Sequence, residues 1–364
     1  MKIFLFMCLA VLSAQAQMPP KKKLALKNDI EMAYVELGPT TGLPIVLLHG
    51  FTDTGRSFQL MAPELIRLYA SARLIIPDLR GHGASSMPPP DVCAAQPERC
   101  FSMELMAQDV WLLLDELGVR SAWVVGHSMG SMVAQHMVAQ QPARVQGAVL
   151  IATFVNGGEA GIVKWLKDDL IEGEWKNKLM TPSMKWPHEV YHTKPEDIGN
   201  EVVQFLRGNW VNEFQVPATF LDEVLPETVR TPLGTWIGAI RAMAQTDTRD
   251  RWKNWRTPTL ILWPIQDMAF PETDQVAVRE TFAQAGRANQ VPIFYKTYGA
   301  VPLSGNVPTD FGHNLHWAAP RQTAEDIVSF ITTGKPAEGA PYLDPKRDFE
   351  IAVDRSRNAS VLLK

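Results

Sequence analysis

Gly126-His127-Ser128-Met129-Gly130 is the segment of this chain best suited to chemistry. Glycines stand two positions either side of the serine, where a strand-to-helix turn is too tight for larger side chains. The short apolar run Ala122-Trp123-Val124-Val125 precedes it, and a small-residue helical stretch beginning Ser131-Met132-Val133-Ala134 follows. Such a turn lifts the hydroxyl to the N-terminus of the helix, where partial positive charge favours a developing oxyanion. A serine hydroxyl is a poor nucleophile at neutral pH unless a base takes its proton as it attacks. That base must be a histidine on a loop reaching the same sheet edge, with an acid to orient it. The strand before and the helix after turn a common five-residue pattern into a candidate nucleophile at Ser128.

The elements that would position it follow a strand–helix rhythm. Residues 30–37 alternate weakly (Ile30, Met32, Tyr34-Val35) and suit an edge strand. Pro44-Ile45-Val46-Leu47-Leu48 is a continuous apolar run, as expected of a strand buried on both faces, and it ends in His49-Gly50-Phe51. A helix pattern runs from about Ser57 to Tyr69, then the strand Arg73-Leu74-Ile75-Ile76, then the turn Pro77-Asp78-Leu79-Arg80-Gly81-His82-Gly83. Ser102 to Leu117 reads as an amphipathic helix with Ser102 as N-cap. After the serine turn come a helix to about Gln141 and the strand Gly147–Ala152. Strands alternating with helices at this spacing imply right-handed crossovers and a parallel sheet, an α/β fold.

The rhythm breaks after Phe154. Residues 157–250 hold helix-like stretches, several prolines and Trp165, Trp175, Trp186, Trp210 and Trp236, with no strong buried-strand run. The sheet resumes at Thr257–Trp263, with a further strand at Val291–Tyr295 and a last helix from Gln322 to Thr332. We read 1–16 as a signal peptide, 17–155 and 251–333 as the two parts of an α/β core, 156–250 as a helical cap, and 334–364 as a C-terminal extension on the surface or partly ordered.

Composition narrows the class. The 35 Lys+Arg and 39 Asp+Glu residues give a formal charge of −4, and no basic stripe interleaved with aromatics appears, which argues against nucleic acid as a partner. Lys21-Lys22-Lys23 reads as a solvated N-terminal run. Lys2, the apolar stretch Ile3 to Leu12 and Ser13-Ala14-Gln15-Ala16 have the form of a secretory signal with cleavage after Ala16, too short to span a membrane, so the mature protein is expected to be periplasmic or secreted. Removal of that segment leaves Cys93 and Cys100, which an oxidising compartment would join in a disulfide. A loop this short contributes about 2–3 kcal/mol in the chain-entropy model. No metal-ligand spacing, phosphate-cradling loop or dinucleotide fingerprint is present, and no cofactor is expected.

Four motifs stand in order along residues 30–333: His49-Gly50-Phe51; Asp78, Arg80, Gly81, Gly83 and Ser85 in one turn; Gly126–Gly130; and Gly312-His313 ahead of the last helix. On these motifs the chain resembles the α/β-hydrolase superfamily, in its capped serine-hydrolase branch. The resemblance implies a mostly parallel central sheet flanked by helices, with Ser128 as nucleophile and His313 as base. His316, three residues on, is the rival base. The acid is implied after the strand 259–263, where Asp267 stands; relatives usually carry glycine at the position of Pro264, and some place the acid after the preceding strand, where Glu159 is the nearest candidate. The oxyanion hole is implied at the backbone amides of Phe51 and Met129. Asp78 and Arg80 are expected to brace their loop, His49 and His82 to serve loop hydrogen bonds, His127 to pack below the turn, and His136 to be packed or exposed.

The function implied is an exported serine hydrolase cleaving a carboxylic ester or lactone of a medium-sized hydrophobic substrate through an acyl-enzyme. Hydrolysis of a carbon–carbon bond or an amide, or perhydrolase chemistry, uses the same constellation; so, in another class, would a ligand-binding receptor that retains the pocket. Ser128 argues against the epoxide hydrolases and haloalkane dehalogenases of this fold, which carry aspartate at the turn.

Overall fold

The computed structural model describes residues 18–210, 213, 215–299 and 310–364. The signal-like segment 1–16 lies outside the described residues. Eleven strands are described: β1 Lys22–Ala25, β2 Glu31–Leu37, β3 Leu43–Leu48, β4 Ala72–Pro77, β5 Ala122–His127, β6 Val145–Ile151, β7 Thr259–Pro264, β8 Ile293–Tyr298, β9 Ala340–Asp344, β10 Glu350–Asp354 and β11 Ser360–Leu362. Nine form one sheet in the order β1-β2-β4-β3-β5-β6-β7-β8-β11, and β9 and β10 form a separate hairpin. From β4 to β8 all neighbours run parallel; β1, β2 and β11 pair antiparallel at the two margins.

The apolar run of β3 explains why the centre of the sheet is covered twice. Ile45 and Leu47 join the core on one face, Val46 and Leu48 the core on the other, and all four are fully buried. Period-two alternation with both faces apolar has no solvated side, so helices must cover both. Met61–Leu68 and Pro320–Thr333 lie on one face; Met103–Glu116 and Met129–Gln140 lie on the other. Ser102 caps Met103–Glu116 by accepting from the Leu105 amide at 3.2 Å.

Three expectations change. The residues from 57 to 69 do not make one helix: a 3-10 turn at Gly55–Phe58 precedes the helix Met61–Leu68. Strand β2 is not an edge, because the lysine-rich run pairs outside it as β1, with Lys22 opposite Tyr34. The exposed Lys22 and Lys23 suit an edge strand, because their charge opposes further pairing. The C-terminal extension also belongs to the fold: β11 adds to the far margin beside β8, and Leu343 and Leu363 are buried against the two cores.

Between β6 and β7 the described regular segments are helical, apart from one isolated bridge, Asn156 to Asp247. The longest are the π-helical Trp165–Trp175, Asn200–Asn209, Ala218–Arg230 and Leu233–Ala244. The Cys93–Cys100 disulfide, with Cα atoms 5.9 Å apart, holds the loop on which this insertion rests. Arg241 pairs with Glu98 at 3.3 Å, and the Tyr191 hydroxyl donates to the Pro88 carbonyl at 3.0 Å. Among the described residues no helix is long and apolar enough to cross a membrane.

Candidate active site

The loops that leave the carboxyl ends of β3, β5, β7 and β8 converge beneath the helical insertion, where open parallel sheets offer a crevice. Ser128 follows β5 directly and is the first residue ahead of the helix Met129–Gln140. Its backbone has φ 52° and ψ −121°, a conformation that costs a non-glycine residue about 1–3 kcal/mol. Surrounding contacts impose it: the Ser128 amide donates to the Ile151 carbonyl at 3.0 Å, and the Ser128 carbonyl accepts from the Ser131 hydroxyl at 2.6 Å. The flanking glycines are forced by space. A Cβ at Gly126 would sit 2.2 Å from the Gly130 carbonyl oxygen, and one at Gly130 would sit 2.2 Å from that of Leu48.

His313 lies on the loop after β8 and lines the same cavity as Ser128. Its Nδ1 bonds Asp267 Oδ1 at 2.9 Å. Asp267 is buried on the turn after β7, and the same oxygen accepts the Ala269 and Phe270 amides, each at 2.9 Å. Those amides leave the carboxylate one orientation, toward the ring. Burial works against a charged His313, but the Asp267 carboxylate outweighs it and raises the imidazole pKa above its ordinary value. Pro264 does not prevent the turn, since its carbonyl accepts the Asp267 amide at 3.1 Å. Glu159 lies elsewhere, paired with Arg249 at 3.2 Å on the surface. Among the described residues no hydrogen bond joins the Ser128 hydroxyl to the His313 ring. Catalytic contacts of this kind commonly tighten only with substrate present.

His316 faces inward, away from this cavity. Its Nε2 meets the Ser57 hydroxyl at 2.9 Å, and burial first, then the nearby His313 charge, hold it well below the usual imidazole range. His127 does more than pack below the turn. Its Nε2 donates to the His313 carbonyl at 3.1 Å, its ring centroid is 4.8 Å from that of His313, and it reaches the cavity wall. Burial likewise keeps it neutral.

The Met129 amide begins a helix and so has no acceptor one turn back. Phe51 follows β3 after His49-Gly50; among the described residues neither amide is engaged by another backbone carbonyl. Thr52, next in the chain, holds φ 60°, which is rare for a β-branched residue. The loop is fixed from behind. His49 accepts the Leu79 amide on Nε2 at 3.0 Å, and burial lowers its pKa to about 3. Asp78 accepts the Gly55 and Ala84 amides, each at 2.8 Å, and Arg80 pairs with Asp109 at 2.5 Å. His136 is packed, its Nδ1 donating to the Met132 carbonyl at 2.8 Å.

The cavity itself measures about 270 Å³. Its wall is aromatic: Phe51, Trp165, Phe205, Trp210 and Phe270. The tryptophans of the insertion divide between two roles. Trp165 and Trp210 face the cavity, whereas Trp175 and Trp236 are fully buried, with ring centroids 4.9 Å apart. Two carboxylates were not legible as site residues. Asp53 lines the cavity, and Glu213 of the insertion receives the Asn314 amide at 2.6 Å, next to His313. Position two residues after Phe51 is the single sequence clue to the first; nothing local marks the second.

A family model described as alpha/beta hydrolase fold matches residues 44–289. Lipase 3 of Moraxella sp. (strain TA144) is 26% identical over 287 residues, 78% of this chain and 79% of that one. The magnesium-chelatase 30 kDa subunit of Rhodobacter capsulatus is 34% identical over 136 residues, 37% of this chain. The chain thus spans 44% of that relative's length. Among solved structures, an esterase from Thermogutta terrifontis superposes with a TM-score of 0.60 at 21% identity, over 86% of this chain and 98% of that one. With the family model covering the sheet from β3 to the helix after β7, the chain belongs to the alpha/beta hydrolase fold family.

Proposed function

We propose that this protein is an exported serine hydrolase that cleaves carboxylic esters or lactones with a medium-sized hydrophobic acyl or ring group. The observation that carries this reading is the 2.9 Å bond from His313 Nδ1 to the buried Asp267, on a ring that shares its cavity with Ser128. The Asp267 bond holds the proton on Nδ1 and leaves Nε2 free to accept the Ser128 proton. Ser128 Oγ attacks the carbonyl carbon while His313 takes that proton. The Phe51 and Met129 amides receive the oxyanion, and each such donor contributes about 3–4 kcal/mol in comparable sites. His313 then returns the proton to the leaving alkoxide, and water, deprotonated by the same ring, releases the acid. The lipase and esterase names of the relatives support ester chemistry, and the aromatic wall supports a hydrophobic substrate. The Cys93–Cys100 disulfide supports an oxidising destination.

The test is labelling of the purified protein with a fluorophosphonate, beside an S128A control, together with turnover of p-nitrophenyl esters of graded acyl length. Labelling that S128A abolishes, with turnover falling at least about 10³-fold in that variant, is the expected result. Labelling without ester turnover would point to an amide or carbon–carbon bond instead. Neither labelling nor turnover would sink the hydrolase and favour a binding protein.

A further inference from the structure

Asp53 is the least expected member of the cavity wall. It stands two residues past the Phe51 amide, is 4% exposed, and lines the same space as Ser128 and His313. Its Oδ2 accepts from the Ser57 hydroxyl at 3.1 Å; among the described residues Oδ1 has no hydrogen-bond partner. Among the described residues the rest of the lining contains no lysine or arginine, and besides Asp53 only His127 and His313 there can carry charge. By sequence, Val211, Asn212, Phe214 and 300–309, which lie outside the described residues, include no charged type.

The groups facing Asp53 set its charge. Burial dominates and pushes its carboxyl up to about 7. The Ser57 hydroxyl and the His313 charge act the other way, while Glu227 and Glu213 reinforce the rise. His127 Nδ1 and Asp53 Oδ2 lie 3.0 and 3.2 Å from the point where a Gly50 Cβ would stand, and His316 reaches Asp53 through Ser57. Near neutrality the group therefore passes between a neutral acid and an anion, in a cavity whose described lining offers no lysine or arginine to pair with it.

We propose that Asp53 is a specificity-determining residue, which makes this cavity accept uncharged acyl groups and reject those bearing a carboxylate of their own. An uncharged group gives up little hydration and packs on the rings of Phe51, Trp210 and Phe270. A carboxylate-bearing group loses its hydration, meets no lysine or arginine in the described lining, and once Asp53 ionises is opposed by a like charge in a poorly screened space. Acidification removes the like charge, so the rejection weakens as pH falls. The proposal rests on the ester-hydrolase reading for its turnover measurements but not for its binding measurements.

The turnover arm compares p-nitrophenyl butyrate with mono-p-nitrophenyl glutarate on the full-length protein and on D53N, at pH 6 and pH 8. Taking the ratio of the two kcat/KM values cancels the dependence on His313 that both esters share. The expected preference for the neutral ester is about 100-fold at pH 8 and smaller at pH 6, and D53N cuts the pH 8 value about tenfold. A folded D53N, with unchanged circular dichroism, that keeps the parent ratio at both pH values overturns the proposal. N209R provides a second variant, on an exposed residue at the cavity rim. The added cation is expected to raise glutarate ester turnover about tenfold, and no gain counts against the proposal. The binding arm titrates S128A with 4-phenylbutyramide and with 4-phenylbutyrate, read by quenching of tryptophan fluorescence. Tighter binding of the amide at pH 8, in a protein that turns over no ester, sinks the ester reading alone. Equal binding of the two, or binding of neither, sinks the role of Asp53.

Discussion

At the residue scale, three side chains from three loops are brought to one cavity only because each loop is tied down separately. Ser128 is held by an imposed backbone conformation, Asp267 by two amides, and His313 by Asp267 and by the His127 ring bonding its own carbonyl. The raised pKa of His313 has a direct kinetic sign. In the proposed mechanism His313 works as base only when neutral, so kcat/KM should fall as pH drops through a value above the ordinary 6.5, where the ring takes up its proton. D267N removes the charge that raises it and allows the wrong tautomer. That variant should shift the acid limb to lower pH and reduce kcat by about 10⁴-fold, with little change in ligand binding to the cavity. An acid limb left in place, at full kcat, would assign the orienting role elsewhere.

At the element scale, close approach of β3, β5 and the helix Met129–Gln140 is the condition for the site. Gly130 is where they touch: a Cβ there would fall 2.2 Å from the Leu48 carbonyl oxygen and 2.6 Å from that of His49. G130A should therefore push the helix off the Phe51 loop, costing about 1–3 kcal/mol and separating the Phe51 and Met129 amides proposed to hold the oxyanion. We expect a lower unfolding midpoint in urea and at least a hundredfold loss of fluorophosphonate labelling, about 2.7 kcal/mol of transition-state stabilisation. Gly208 is the contrast, since a Cβ on that exposed helix position would meet nothing within 4 Å. G208A should leave labelling intact and add about 0.5–1 kcal/mol of stability. Equal behaviour of the two variants would refute the packing account. These elements were readable in sequence because both strands are continuous apolar runs and the helix follows a glycine-flanked serine turn. The 3-10 turn at Gly55–Phe58 and the pairing of β1 were not, because short segments take their structure from neighbours.

At the scale of the whole molecule, both margins of the sheet are closed by segments that local pattern does not mark as strands. The extension after Gly334 supplies β11 against β8, buries Leu343 and Leu363, and offers the Ala337 carbonyl to the buried Lys296 ammonium at 2.7 Å. Lys296 also pairs with Asp326 at 2.7 Å. Truncation after Gly334 should cost about 3 kcal/mol or more, from the two leucines alone, and leave a bare strand edge. Denaturant unfolding and light scattering check this; an equally stable, monodisperse truncated protein would make the extension dispensable.

Sequence by itself made the candidate nucleophile turn and the mostly parallel sheet legible. Local sterics admit few residues at a strand-to-helix turn, and burial on two faces forces a readable apolar run, so Ser128 and its flanking strands were legible. His313 and Asp267 were legible as positions in a motif order, but their 2.9 Å contact brings together residues 46 apart in the chain, which no local pattern specifies. Tertiary structure alone decided which tryptophans face the cavity and which fill the core. It also decided that His316 turns inward, that Glu159 stays at the surface, and that Asp53 stands in a cavity whose described lining has no lysine or arginine. Burial and charge environment are properties of the assembled neighbours, and a chain read one residue at a time does not contain them.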